Sequence, residues 1–314
     1  MLNYLLTTLS FIATITTLAL PQTISDQWYV VPTISENNVA SLTVLPSIRL
    51  KPVPYKLDFD WGPSTKAKAV LIMDYDTGQV LWQKNDTAEL PIASITKLMT
   101  ALTALDYITD WNATYTMQPN ENALGGASFS AGNGDEFTKH DILKAALVGS
   151  ANNAAAALAH STGLTQDQFV QAMNAKAQQL GLRHSHFVDP TGLQAGNTAT
   201  VRDVANLMRT ATYQPTLLAP LGQIEHRMIR QNNVEAAHEI VVRTTNRLIK
   251  NTDPFVLAGK TGFTYEAGNC LVSLATNPAG HKIIVAYLGA DDPTVRFEES
   301  QTLIQWTYQH YNWP

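Results

Sequence analysis

Phe255-Val256-Leu257-Ala258-Gly259-Lys260-Thr261-Gly262 and, after a short gap, Cys270-Leu271-Val272-Ser273-Leu274-Ala275 read as two apolar, β-rich runs separated by turn residues, so they predict an antiparallel strand pair. Lys260 and Thr261 stand side by side on that pair. A lysine ammonium and a threonine hydroxyl so placed can hold a substrate carboxylate, and Gly262 leaves room for a substrate backbone to approach.

Two further motifs precede this one. Ser94-Ile95-Thr96-Lys97 lies at the start of a run in which Leu98, Leu102 and Leu105 recur at helical spacing, with Pro91 upstream as a start signal. Ser94 is thus expected to open a buried helix, near the positive end of its dipole, with Lys97 one turn along on the same face. A serine hydroxyl is a weak nucleophile until a base takes its proton. Lys97 can be that base only when neutral, which burial favours and a second ammonium nearby, such as Lys260, would also favour. Taken alone, Ser94 is better explained as a helix cap and Lys97 as a solvated charge; the other two motifs reverse that preference.

Ser150-Ala151-Asn152 falls between two alanine-rich helical stretches. Thr138 with Asp141 opens the first of these, and Gly149 ends it. The serine and asparagine are therefore expected on a tight turn aimed into a cleft, although a plain interhelical link has the same pattern. The order of the three motifs, and the context of each, carries more than any one of them. Ser35-Glu36-Asn37 repeats the Ser-x-Asn pattern but precedes the others in a polar stretch and reads as loop.

With these residues in hand, the chain resembles the serine-type D-alanyl-D-alanine carboxypeptidases, the low-molecular-mass penicillin-binding proteins that trim bacterial peptidoglycan. The resemblance runs from about Lys66 to the C-terminus. It includes Pro91 to Thr100, Ser150 to Ala155, Phe187 to Leu193, Thr245 to Leu248 and Ala258 to Thr264. It departs at Asn153, where the family more often has aspartate. It implies that Ser94, Lys97, Ser150 and Asn152 are catalytic and that Lys260, Thr261, Gly262 and Phe263 bind substrate. Under it, Ser94 attacks the penultimate D-alanine carbonyl and the Ser94 and Phe263 backbone amides hold the oxyanion. Ser150 passes a proton to the leaving nitrogen, and Asn152 orients Lys97. It calls for no metal or cofactor, and it makes peptidoglycan stem peptides the substrate and β-lactams the covalent inhibitors. Some relatives add an arginine beyond the following strand; here Asp291-Asp292-Pro293 fills that stretch and Arg296 is the nearest. No Glu-x-x-Leu-Asn lies between Ser150 and Lys260, so the deacylating glutamate of class A β-lactamases is missing. Two rivals stay open: an endopeptidase that cuts cross-links with the same machinery, and a non-catalytic wall- or β-lactam-binding module, whose expected loss of Lys97 or Ser150 has not occurred.

Composition agrees with this placement. Charged residues make up 15% of the 314, below the roughly 25% usual for soluble domains, and the net charge of -5 gives no basic footprint for nucleic acid. Cys270 is the single cysteine, so no disulfide forms within the chain, and its apolar strand makes it a core thiol. His184-Ser185-His186 with Asp189 is the one pattern with metal-ligand character, yet it lacks a third placed ligand and reads as ordinary histidines. Residues 1–20 are apolar and end at Pro21, as in a signal peptide or an uncleaved membrane anchor. Residues 21–65 read as an extended linker and 66–314 as the peptidase domain. Strands near both ends of that domain with helices between them predict an α/β fold of α+β type. It comprises an antiparallel sheet sandwiched by helices and an inserted helical subdomain carrying Ser150 and Asn152. The resemblance implies the same architecture.

Overall fold

The computed structural model describes the chain from residue 52 onward except for 233–238, and of residues 1–51 only the backbone of two strands. Those strands, Gln27–Thr33 and Ser41–Ser47, pair antiparallel within the stretch expected as linker. They belong to a unit of their own, residues 1–52. The apolar N-terminal run and Ser35-Glu36-Asn37 lie outside the described residues.

The unit from Val53 to Pro314 is built on a five-stranded sheet. Its strands are β1 (Ala69–Asp74), β2 (Val80–Lys84), β3 (Val256–Thr264), β4 (Gly268–Thr276) and β5 (Lys282–Ala290). They lie in the order β3-β4-β5-β1-β2, and every neighbouring pair is antiparallel. The first and last strands of this sheet in chain order thus meet mid-sheet, where β1 pairs with β5. Lys260-Thr261-Gly262 lies on β3, an outer strand, inside the strand rather than beyond its end.

Every residue of β1 is buried, which only a sheet covered on both faces requires. The alternation sorts them into two cores. Ala69, Leu71 and Met73 pack with Leu98 and Leu102 of α1 (Thr96–Tyr107) and with Val204, Leu207 and Met208 of a later helix, Val201–Thr212. Val70 and Ile72 pack on the opposite face against Phe297, Leu303, Ile304 and Trp306 of the C-terminal helix, Val295–His310. Each fully buried leucine of this kind contributes roughly 1.5–3 kcal/mol.

The helical insertion follows α1. It includes α2 (Lys139–Val148), α3 (Asn152–His160) and α4 (Gln166–Gln179). The side chains of Thr138, Thr165 and Thr200 each accept a hydrogen bond from the amide three residues on, capping three helix starts, the first of them as read from sequence. Phe169 and Met173 point from α4 into the core, as their spacing predicts. The observed architecture is the sandwiched antiparallel sheet with a helical subdomain.

Candidate active site

Ser94 sits one step earlier than expected. It lies in a single 3-10 turn, Ala93–Ile95, that feeds directly into α1 at Thr96. Ala93 before it has φ of 46°, in the left-handed region that costs an alanine about 1–2 kcal/mol. Gly192 and Gly262 explain how this turn is hemmed in. A Cβ on Gly192, whose φ is +82°, would come within 2.0 Å of the Ala93 carbonyl oxygen, and one on Gly262 within 2.8 Å of the Ile92 oxygen. Only glycine lets β3 and the 189–192 turn close on the Ser94 turn from both sides.

Lys97 is 1% exposed, and its Nζ donates to Ser94 Oγ, Asn152 Oδ1 and the Thr191 carbonyl, each at 2.7 Å. Burial pushes its pKa down to about 7, against the opposing charge of Asp189. The carboxylate of Asp189 is itself tied up. It accepts from the amides of Thr191, Gly192 and Gln194 and from Asn197 Nδ2, over 2.6 to 3.0 Å. Burial pushes the carboxyl pKa up, but the hydrogen bond from the Thr191 hydroxyl and those from the Gln194, Thr191 and Gly192 amides outweigh it and hold the group below its usual range.

Ser150 lies in the tight link between α2 and α3, and Asn152 opens α3. Ser150 has φ of 57°, a strained turn that directs its hydroxyl at Lys260 Nζ, 2.6 Å away. Lys260 is 1% exposed, and burial first, then the charges of Lys97 and Arg296, drive its pKa well below the ordinary lysine value. The charge effect runs from Lys97 onto Lys260, the reverse of the direction expected from the motifs, and Lys97 itself is lowered by burial alone. Asn152 is fixed by a glycine-rich loop: its Nδ2 donates to Gly125 O at 2.7 Å and its amide to Ala127 O at 2.6 Å. Asn153 clamps the same loop, since its side chain accepts from the Phe129 amide at 3.2 Å and donates to the Phe129 carbonyl at 3.0 Å. An aspartate there could not make the second bond.

Ser94, Ser150, Asn152, Thr261, Gly262 and Phe263 line one cavity of about 250 Å³. The buried amines of Lys97 and Lys260 reach Ser94 and Ser150 from behind it. Motifs more than 50 and 100 residues apart in the chain thus converge. Three further contributors were not among the site residues expected from the motifs. Thr245 reaches the cavity and hydrogen-bonds Thr261 through their hydroxyls. Thr191 supplies a main-chain acceptor, for which residue type says nothing. Arg296 reaches the cavity from the C-terminal helix, with Nη1 donating to the Gly262 carbonyl at 2.8 Å and a buried Nε that has no hydrogen-bond partner. The Asp291-Asp292-Pro293 stretch does not displace it. His184 and His186 lie apart from all this: the ring of His184 bonds Glu89 at 3.0 Å, and the backbone of His186 pairs with that of Thr198.

A buried lysine on a serine hydroxyl, with a second serine–lysine pair beside it, is the equipment of acyl transfer. Known proteins agree. The chain is 34% identical over 268 residues to a D-alanyl-D-alanine endopeptidase of Pseudomonas aeruginosa, covering 85% of this chain and 84% of that one. It is 30% identical over 251 residues to the D-alanyl-D-alanine carboxypeptidase DacF of Bacillus subtilis, covering 78% and 63%. A crystal structure of a D-alanyl-D-alanine carboxypeptidase from Mycobacterium tuberculosis superposes with a TM-score of 0.73 at 26% identity, covering 83% of this chain and 96% of that one. The sequence profile of the D-alanyl-D-alanine carboxypeptidases matches residues 60–292, and the chain belongs to that family of serine peptidases.

Proposed function

We propose that this enzyme removes the terminal D-alanine of peptidoglycan stem peptides through an ester on Ser94. The observation that carries this reading is the 2.7 Å contact between the buried Lys97 amine and Ser94 Oγ. Neutral Lys97 takes the hydroxyl proton as Ser94 attacks the penultimate D-alanine carbonyl. The backbone amides of Ser94 and Phe263 receive the oxyanion, a contribution of about 2.7–4 kcal/mol per donor in comparable sites. Ser150, held by Lys260, delivers a proton to the departing nitrogen. Thr261, with Lys260 and Arg296 behind it, binds the terminal carboxylate. Water then cleaves the ester. β-Lactams acylate the same serine. Because this substrate lies outside the cytoplasmic membrane, the apolar residues 1–20 serve for export or anchoring.

Endopeptidase action on cross-links is a second reading, favoured because the Pseudomonas endopeptidase matches at higher identity and over more of its length than DacF does. Incubation with a fluorescent penicillin and with a D-Ala-D-Ala pentapeptide tests the common chemistry. A stable adduct on Ser94 and release of D-alanine are expected, both lost in Ser94→Ala. An adduct on another residue overturns the reading.

A further inference from the structure

A second cavity, of about 520 Å³, adjoins the catalytic one. Three stretches of chain pass from one into the other. Gly126 and Ala127 line the first and Ser128 and Ser130 the second; Ser150 lines the first and Gly149 the second; Thr245 lines the first and Arg243 the second. The two cavities are therefore consecutive, and they meet on the Ser150 side of the nucleophile.

That side is where the leaving group goes. On the acyl-serine reading above, on which this inference rests, the carbonyl oxygen sits between the Ser94 and Phe263 amides while Ser150 protonates the nitrogen. The scissile nitrogen then lies at Ser150, and whatever is attached to it beyond a single D-alanine extends past Ser150. A departing D-alanine ends there, in one methyl and one carboxylate. A cavity in the size range of whole small-molecule sites is far more than it needs.

The walls suit a peptide. The strand Ile240–Arg243 pairs on one edge with Glu225–Met228, and among the described residues no strand covers its other edge. Such an edge offers main-chain donors and acceptors to an extended chain. Opposite it, Ser128 and Ser130 expose their hydroxyls. Arg243 keeps a side chain 68% exposed and only 3.6 Å from its nearest acidic neighbour, Glu225, a loose pairing that leaves it available to a carboxylate. Arg230, in the same wall, is by contrast locked to Asp135 at 2.6 Å.

We infer that the groove between Ser128–Ser130 and the strand Ile240–Arg243 is the subsite for the leaving peptide strand of a cross-link. Its ligand is a diamino-acid side chain, joined by amide to the donor D-alanine, together with the stem that bears it. Catalysis there breaks the bond between the D-alanine carbonyl and the side-chain nitrogen and forms the Ser94 ester. The nitrogen takes its proton through Ser150 and departs as an amine into the groove. Water then hydrolyses the ester, restoring Ser94 and leaving a free D-alanine carboxylate.

The test uses the full chain and two substrates, a purified cross-linked muropeptide dimer and an uncross-linked pentapeptide, with penicillin acylation as the control on the serine chemistry. Ser130→Trp, which fills the groove from an exposed position, and Arg243→Glu are the variants. Each is expected to lower kcat/KM on the dimer at least tenfold, while pentapeptide cleavage and penicillin acylation stay within twofold of the parent. Equal losses on both substrates, no loss on the dimer, or a parent enzyme that cleaves the pentapeptide but not the dimer overturns the subsite. If penicillin fails to acylate Ser94, the acyl-serine reading itself falls, and that result is distinct from the others.

Discussion

Lys260 Nζ stands 2.6 Å from Ser150 Oγ, so one lysine–serine pair faces the other, Lys97 with Ser94, across the same cavity. Burial lowers the proton affinity of both amines, and the charge of Lys97 lowers that of Lys260 further, so the pair is not readily held doubly charged.

The pH dependence of acylation should report Lys97. With its pKa near 7, the neutral fraction grows as pH rises through that value, so the acylation rate should climb from about pH 6 to 8 and then level. Stopped-flow acylation by a penicillin whose own ionisation is remote gives the profile. Lys97→Met should lower the plateau by about 10²–10⁴-fold, the usual share of general base catalysis. A profile flat from pH 5 to 8 would remove Lys97 from that role.

Turnover of β-lactams should be slow. In the described structure, no residue lining the catalytic cavity is a carboxylate, and Asp189, the nearby acid, has its oxygens engaged by main-chain amides and Asn197. Nitrocefin should give a burst matching the enzyme concentration and then a slow phase. Rapid hydrolysis with no burst would mean that another group activates the deacylating water.

The carboxylate grip should appear in substrate preference. Charge-assisted hydrogen bonds of the kind proposed for Thr261 and Lys260 are worth about 1.5–3 kcal/mol each, so amidating the C-terminus of a D-Ala-D-Ala peptide should slow cleavage at least tenfold. Lys260→Ala should erase the difference. Equal rates on acid and amide from the parent enzyme would assign the pair to another contact.

Gly192→Ala should be costly for the fold itself. The added methyl meets the Ala93 carbonyl, which is main chain and cannot rotate away, at a φ that disfavours any side chain. A loss of about 2–4 kcal/mol is expected, or roughly 4–16 °C in Tm at ~2–4 °C per kcal/mol for a chain of this size. A melting curve within 2 °C of the parent would show that the turn relaxes at little cost.

What the sequence disclosed was the part of the site written in residue types at fixed local spacing. Ser94 and Lys97 are three apart, so a helical reading alone brings them together, and the strand pattern around Lys260 needed only alternation. The convergence of Ser150 on Lys260 came from the family resemblance, because no local period links positions 110 apart. Arg296 was legible as a residue but not as a neighbour: its reach depends on where the last helix packs against the sheet. The 125–127 loop and Thr191 act through main-chain carbonyls, which any side chain could accompany. The position of Ser94 in a 3-10 turn was missed because its strain is imposed from outside, by Gly192 and Gly262.

Cys270 lies directly across the sheet from Gly262, fully enclosed, with its thiol pushed up to about 11 by burial. It gives the protein a built-in clock. A thiol reagent cannot reach this sulfur, or find it as thiolate at neutral pH, until β3 and β4 part. Its labelling rate therefore counts the openings of the two strands that carry the substrate motif. Because the register ties Cys270 to Gly262, each opening counted in this way is also an interval in which the cavity lined by Ser94, Thr261 and Gly262 is not assembled.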